Sequence, residues 1–137
     1  MKTRSIERFA IKSLVLLGLL SIAALLNAQI RGVGGWQHLG SAHVDGRADH
    51  DKIDVSGGTF SALEMGVTDG AIGFERVIVH FRNGGQEVLP VGAVVRSGGR
   101  TPPIPLRGGG REISSVEIWY TKGNFEGKPR VDLFGRR

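Results

Sequence analysis

An all-β fold, a single antiparallel β-sandwich of about eight or nine strands, is predicted from three features of this sequence. Apolar and polar residues alternate with period two in several windows after Gln29, the mark of strands with one buried and one solvated face. Glycine is abundant, 22 in the chain, and it clusters between those windows at Gly34-Gly35, Gly57-Gly58, Gly84-Gly85, Gly98-Gly99 and Gly108-Gly109-Gly110. Tight turns need positive φ, which glycine adopts without steric cost. After residue 28 no window carries apolar residues at helical spacing. Strands of this length and spacing suit a jelly-roll or Greek-key-like sandwich.

The first 28 residues have another character and are set aside before the fold is read. Lys2, Arg4, Arg8 and Lys12 form a basic start, offset by Glu7, and an uncharged Leu-rich run follows from Ser13 to Leu26. Leu26-Asn27-Ala28 offers a cleavage site before Gln29, although Leu26 is bulkier than the usual small residue there. Ser21-Ile22-Ala23 is a second site, with a shorter apolar run. The expectation is a signal peptide over 1–28, helical in its apolar run, that engages export machinery. One domain over 29–137 then works in the periplasm or outside the cell. An uncleaved anchor would want about 20 apolar residues, and there is no cysteine to carry a lipid.

Charge and cysteine content narrow the classes further. The chain has 18 Lys+Arg against 13 Asp+Glu, but four of the former and one of the latter lie in residues 1–28. The remainder is close to balance, so the pI of about 10.2 gives no ground for a nucleic-acid partner. The absence of cysteine excludes disulfides, thiolate metal sites and thiol nucleophiles.

Taken in order, strands are predicted over Trp36–Val44, Lys52–Val55 and Thr59–Val67. The clearest, Phe74–Arg82, places Val77, Val79 and Phe81 on one face and Arg76, Ile78, His80 and Arg82 on the other. Asn83-Gly84-Gly85 is a hairpin signal. Glu87–Val91 returns, with Pro90 putting it at an edge or ending it; Val91–Val95 and a short Ile104–Leu106 follow. Glu112–Thr121 sets Val116, Ile118 and Tyr120 against Glu117 and Trp119. Lys128–Gly135 ends the series with Val131 and Leu133 inward and Asp132 and Phe134 outward. An outer-membrane barrel would need strands of about 9–11 residues and aromatic girdles; here many windows are shorter and aromatics are 7%.

The running pattern Trp36…Leu39-Gly40, Val44-Asp45…Asp49…Asp51-Lys52-Ile53, Gly58-Thr59-Phe60, Val77-x-Val79-x-Phe81-x-Asn83-Gly84, Pro105-Leu106-x-Gly108-Gly109 and Arg111-x-Ile113-x-Ser115-Val116 before Trp119-Tyr120 resembles a family of bacterial exported β-sandwich domains of unknown function. Members often end in a Leu-x-Gly-Arg-type strand, which Leu133-Phe134-Gly135-Arg136 matches. The resemblance covers essentially all of 29–137. Its motifs are turn and core residues, so it implies fold and export and brings no activity with it.

No catalytic motif stands out. There is no Gly-x-Ser-x-Gly elbow, carboxylates for glycoside hydrolysis cannot be chosen by sequence spacing, and Gly108-Gly109-Gly110-Arg111 lacks the Lys-Ser/Thr of a phosphate loop. Asp45, Asp49 and Asp51 are close enough to offer oxygen ligands to Ca²⁺, the one cofactor considered, but not in EF-hand spacing. Their plainer reading is a solvated turn. His38, His43, His50 and His80 raise a transition-metal site, against which His38 and His43 have opposite strand parity unless a bulge intervenes.

Two features point to binding. Arg96, Arg100, Arg107 and Arg111 concentrate positive charge around Pro102-Pro103 and Pro105, suited to anionic polymers or headgroups, or simply solvated. Trp119 and Phe134 face outward by parity, and such rings bind sugars or proteins unless another element covers them. The function expected is therefore a non-catalytic envelope domain that binds a glycan, lipid headgroup or protein surface, with no nucleic-acid partner. A structural or assembly component of the envelope, and a hydrolase with a dispersed active site, are the alternatives.

Overall fold

Two long strands carry the architecture. In the computed structural model of the protein, residues 35–46 and 49–137 are described, without the side chains of 122–125; the expected signal peptide at 1–28 lies outside that description. Trp36–Arg137 makes one compact unit. Its strands are β1 (Trp36–His43), β2 (His50–Asp54), β3 (Thr59–Phe60), β4 (Ala62–Phe81), β5 (Gln86–Val95), β6 (Ile104–Pro105) and β7 (Arg111–Arg136).

β4 and β7 pair antiparallel along nearly their whole lengths, from Ala62↔Arg136 to Phe81↔Ile113. Each joins windows that the sequence divides: the chain does not break at the polar and glycine-rich residues between them but bends. The corner lies at Asp69-Gly70 opposite Gly127, with φ of 61° at Asp69, 152° at Gly70 and 71° at Gly127. The register shifts between Thr68 and Gly70. A Cβ on Gly70 would stand 2.0 Å from the Glu126 carbonyl oxygen, and one on Gly127 would stand 3.0 Å from that of Asp69. Side chains are therefore excluded where the two backbones cross.

On one side of the corner, β1 pairs with the second half of β7, which pairs with the first half of β4. The segment from Gly98 to Leu106 runs along the other edge of β4. There Gly98 and Thr101 donate to the carbonyls of Val67 and Met65 (2.7 and 2.8 Å), and β6 pairs with Ala62-Leu63. The buried Thr101 hydroxyl accepts the Met65 N–H at 3.0 Å. This stretch is thus pinned as an edge rather than left as an open connection. On the other side, β2 pairs with the first half of β7 and β5 with the second half of β4.

β5 is continuous through Pro90 because it is an edge strand, where a missing N–H removes no ladder bond. At the Phe74/Arg76 register shift, Val91 and Gly92 stand against Glu75 alone, so β5 takes up one extra residue, with Gly92 at φ of 58°.

The two halves face each other. Leu63, Met65 and Val67 from one half of β4, and Val77 and Val79 from the other, are fully buried in a single apolar cluster with Val116, Ile118, Val131 and Leu133. Val77, Val79, Val116, Ile118, Val131 and Leu133 are the inward positions that strand parity predicts. Gly40 on β1 lies so near β2 that a Cβ there would meet Ile53 Cγ2 at 2.5 Å. A fully buried aliphatic side chain contributes about 1.5–3 kcal/mol. With no disulfide, that cluster must offset the ordering entropy. The molecule is an antiparallel β-sandwich.

Far from the corner, β3 laces the free ends together. Thr59 and Phe60 pair with Glu112 and Arg111 at the start of β7. The Ser61 N–H donates to the Arg136 carbonyl at its end (2.7 Å), and Leu106 donates to the Ser61 carbonyl (2.8 Å). The Phe60 ring fills the space over Gly135, where a Cβ would come within 2.7 Å of it.

Gly70→Ala is expected to destabilise the protein by about 1–3 kcal/mol or more, read from chemical denaturation. Gly84→Ala, at a turn with φ of 90° and open space around it, is the comparison. A smaller loss at Gly70 than at Gly84 would contradict the crossing described.

Candidate functional site

A polar cluster of hydrogen-bonded side chains lies on the outward face of the first half. It is assembled by a bulge in β1: the register passes from His38↔Phe134 to Gly40↔Leu133, so Leu39 is extra. The bulge turns His38, Ser41 and His43 to the same side, where Ser41 sits opposite Asp132. Asp132 Oδ1 accepts hydrogen bonds from Ser41 Oγ (2.6 Å), His38 Nε2 (2.8 Å) and Arg130 Nη2 (3.1 Å), and Arg130 also donates to Ser41 Oγ (3.1 Å). Among the described residues Oδ2 has no donor, which leaves acceptor capacity.

Burial alone would raise the Asp132 carboxyl. The hydrogen bonds from Ser41 and His38, and the charge and hydrogen bond of Arg130, outweigh it and hold the group below its ordinary value. Asp132 is thus a fixed carboxylate at neutral pH.

Beside it lies an open hollow of about 190 Å³, with Gly66, Val67 and Thr68 of β4, Gly98, Gly99 and Arg100, and Asp132 and Phe134 of β7 around it. The hollow depends on Gly66: a Cβ there would come 3.3 Å from Phe134 Cε2 and 3.7 Å from Arg100 Cγ. The Arg100 guanidinium lies 4.1 Å over the Phe134 ring and its Nη1 is 3.6 Å from Glu64 Oε1. His38 meets the same ring edge-on at 5.4 Å. Arg100 therefore has its fork held by a ring and a carboxylate, while half its side chain still meets water.

Ser41, His38 and Asp132 invite comparison with a hydrolytic triad, but the hydrogen bonding is different. In a triad the carboxylate holds one ring nitrogen and the serine addresses the other. Here both partners address Nε2, with Ser41 Oγ 3.3 Å from it. Nε2–H is committed to Asp132, and the serine proton is directed to the same carboxylate. The cluster holds a charge; it does not activate Ser41.

Most other sequence-predicted residues are scattered by the fold, although His50 and His80 meet at Glu117, 4.0 and 3.0 Å from its two oxygens. Trp119 faces outward, yet both ring faces are occupied: His50 stacks at 4.2 Å and 11°, and the Arg76 guanidinium lies at 4.3 Å. Its Nε1 is buried without a hydrogen-bond partner among the described residues. A sugar could stack there only by displacing a cross-strand neighbour. Nor do Trp119 and Phe134 form one patch, because they belong to opposite halves of β7, on opposite outer faces.

Of the arginines, only Arg100 is beside Phe134. Arg96 is exposed near Gly70 and Glu126 at the corner. The Arg107 N–H donates to the Glu87 carboxylate at 3.1 Å, and Arg111 lies over Phe81 at 3.8 Å.

The three aspartates of the calcium reading do not converge as a ligand set. Among the described residues no group of three or more His, Asp or Glu side chains is arranged to hold a metal. Asp51 accepts from the Tyr120 hydroxyl (2.9 Å) and Asp49 bonds to His50 (2.8 Å), while Asp45 is exposed just after β1. Burial, then the Asp51 charge and hydrogen bond, pushes the Tyr120 hydroxyl far up, so it stays a donor.

Sequence reasoning missed Ser41, Arg130, Glu64 and Gly66, and met His38 only as a candidate metal ligand. Asp132 was legible as an outward residue, and the parity conflict of His38 and His43 was the signal for a bulge. The Gly66–Arg100 approach joins strands through a long connection and left no local mark.

Comparison with known proteins agrees with the fold. Residues 13–135 match the family described as Domain of unknown function (DUF2541). No curated protein matches the sequence. Among solved structures the chain is similar to AlgX of Pseudomonas aeruginosa, with 16% identity, TM-score 0.50, 77% of this chain and 28% of that one covered. It is also similar to CpGH89CBM32-4 of Clostridium perfringens, with 17% identity, TM-score 0.45 and coverage of 64% and 69%. A family 29 carbohydrate-binding module shares 8% identity over 74% of this chain and 79% of its own, at TM-score 0.38.

The lowered Asp132 carboxyl predicts a specific pH dependence. A carboxyl depressed by folding stabilises above its unfolded pKa, about 3.9, and that contribution is lost as pH falls through the folded value. Asp132→Asn is expected to melt below the wild type at neutral pH, with the gap closing in acid below about pH 4. A gap of constant size across that range would refute the assignment.

Proposed function

The chain belongs to this DUF2541 family, and from that starting point we propose that it is an exported, non-catalytic envelope domain that binds a glycan in the hollow over Gly66. The export half of the reading is supported by the basic start and apolar run of residues 1–28. The binding half is carried by one observation: the fixed Asp132 carboxylate, the held Arg100 guanidinium and Phe134 line the same hollow. A ring-shaped ligand with hydroxyls on its rim and C–H groups on its face finds an acceptor, a donor and an apolar contact there. At about 190 Å³ the hollow is smaller than the roughly 300–1,000 Å³ of sites that engulf a drug-sized ligand. It suits one sugar ring of a longer chain.

A second reading, an assembly component, is favoured by β5. This edge strand exposes Val88 (48%) and Val94 (66%), the large apolar side chains most open to water among the described residues. A stable oligomer in sedimentation that Val94→Lys dissociates would support it.

An array of bacterial envelope glycans probed with the protein tests the first reading. Binding is expected to disappear in Gly66→Val, which fills the hollow, and to weaken by about tenfold in Asp132→Asn. It should be unchanged in Val94→Lys. Retention of no glycan, or equal retention by Gly66→Val, would overturn it.

A further inference from the structure

Four arginines lie over aromatic rings among the described residues: Arg76 on Trp119, Arg100 on Phe134, Arg111 on Phe81 and Arg136 on Trp36. About one such pair is expected per 70–80 residues, so the device is used unusually often. The four divide by what else they touch. Arg76 pairs with Glu75 and Arg100 with Glu64. Arg111 and Arg136 have no carboxylate partner among the described residues. Their rings, at 3.8 and 4.9 Å, fix the guanidinium without cancelling its charge.

The fold brings the backbones of these two to one end of the sandwich although they stand at the two ends of β7. Phe60 pairs with Arg111, and the next residue, Ser61, donates its N–H to the Arg136 carbonyl at 2.7 Å and its Oγ at 3.2 Å. Two more arginines arrive at the same end. The Arg82 N–H donates to the Glu112 carbonyl (3.1 Å), and Arg107 follows Leu106, whose N–H donates to Ser61. Arg82 has no carboxylate partner among the described residues. Arg107 has Glu87 at 3.7 Å, yet is 86% exposed. Among the described residues, Glu87 and Glu112 are the carboxylate side chains that this pairing brings alongside, so cations prevail. Elsewhere on the surface, Lys52, Arg76, Arg100 and Arg130 each have an acidic neighbour.

We propose that this end of the sandwich, laced by Phe60 and Ser61, is a binding surface for an anionic polysaccharide, whose carboxylate or phosphate groups are gripped by Arg111 and Arg136 with Arg82 and Arg107 alongside. Guanidinium forks pair bidentately with both kinds of oxyanion, and ring-held forks lose less freedom on binding. Two held forks at separate positions suit a polymer that repeats its charge. A bilayer would want a contiguous apolar patch; among the described residues the large exposed apolar side chains are Val88, alone beside Glu87 at this end, and Val94, away at the corner. Nor does this end suit stacked nucleobases, since Phe81 is buried and both rings already lie under guanidinium groups. Arg136 stands two residues from Phe134 on the same face of β7, but none of the four arginines lines the hollow over Gly66, and the proposal does not depend on that hollow.

Binding of the protein to immobilised polygalacturonate (carboxylate), a phosphomannan (phosphate) and neutral dextran tests the proposal and identifies the anion. One or both charged polymers are expected to bind and dextran not. The double variant Arg111→Gln/Arg136→Gln should weaken binding about tenfold or more, and should reduce the slope of log affinity against log salt by about 2. Lys52→Gln/Arg96→Gln removes equal charge elsewhere and should change little. Arg111→Lys/Arg136→Lys keeps the charge and loses the fork, so it should fall between wild type and the glutamine pair; it also serves if that pair fails to fold. The proposal is overturned if neither charged polymer binds, if the two double glutamine variants lose binding equally, or if the lysine pair binds like wild type. Tighter binding to phosphatidylglycerol vesicles or a single-stranded oligonucleotide than to either polysaccharide would overturn it as well. Loss of binding in Gly66→Val alone would place the contact in the hollow instead.

Discussion

The close crossing of two backbones at Gly70 and Glu126 is the constraint on which the rest of this structure depends. Because no Cβ separates them there, β4 and β7 can turn together without parting, and one antiparallel pair serves both layers. The turn sets the facing halves over a common apolar cluster. It also sends the outward residues of a single strand to opposite sides of the molecule. Trp119 and Phe134 are 15 positions apart on β7, yet no ligand resting on one outer face can touch both.

The surface repeatedly holds cations in place by unlike partners. At Trp119, a histidine and an arginine close over the ring and leave it no open face. Around Asp132, three donors converge on one carboxylate oxygen, which favours the ionised form. Arg100 is held by ring and carboxylate together, whereas Arg111 and Arg136 are held by rings alone. The distinction has an electrostatic meaning: a carboxylate neighbour orients and neutralises, while an aromatic face orients and leaves the charge to act outward. The same side-chain type therefore serves a compensated wall in one place and an uncompensated surface in another.

Period-two alternation made the strands legible, since the pleat sends successive side chains to opposite faces wherever a strand forms. Val77, Val79 and Phe81, Val116, Ile118 and Tyr120, and Val131 and Leu133 are all buried where that rhythm places them. Continuity through the corner was not legible. Glycines mark turns and tight crossings alike, and only the partner backbone distinguishes them. Pro90 did indicate an edge, because its missing N–H leaves few other places for it.

By itself, then, the sequence determined a cysteine-free β-sandwich with a defined inward set and a first stretch of different composition, because local alternation and composition carry that information. Only the tertiary structure decided which polar groups meet. The Leu39 bulge, the lacing of both ends of β7 by Phe60 and Ser61, and the approach of Arg100 to Gly66 each join residues far apart in the chain. Such meetings follow from register and from the bend, and no short window of residues encodes either.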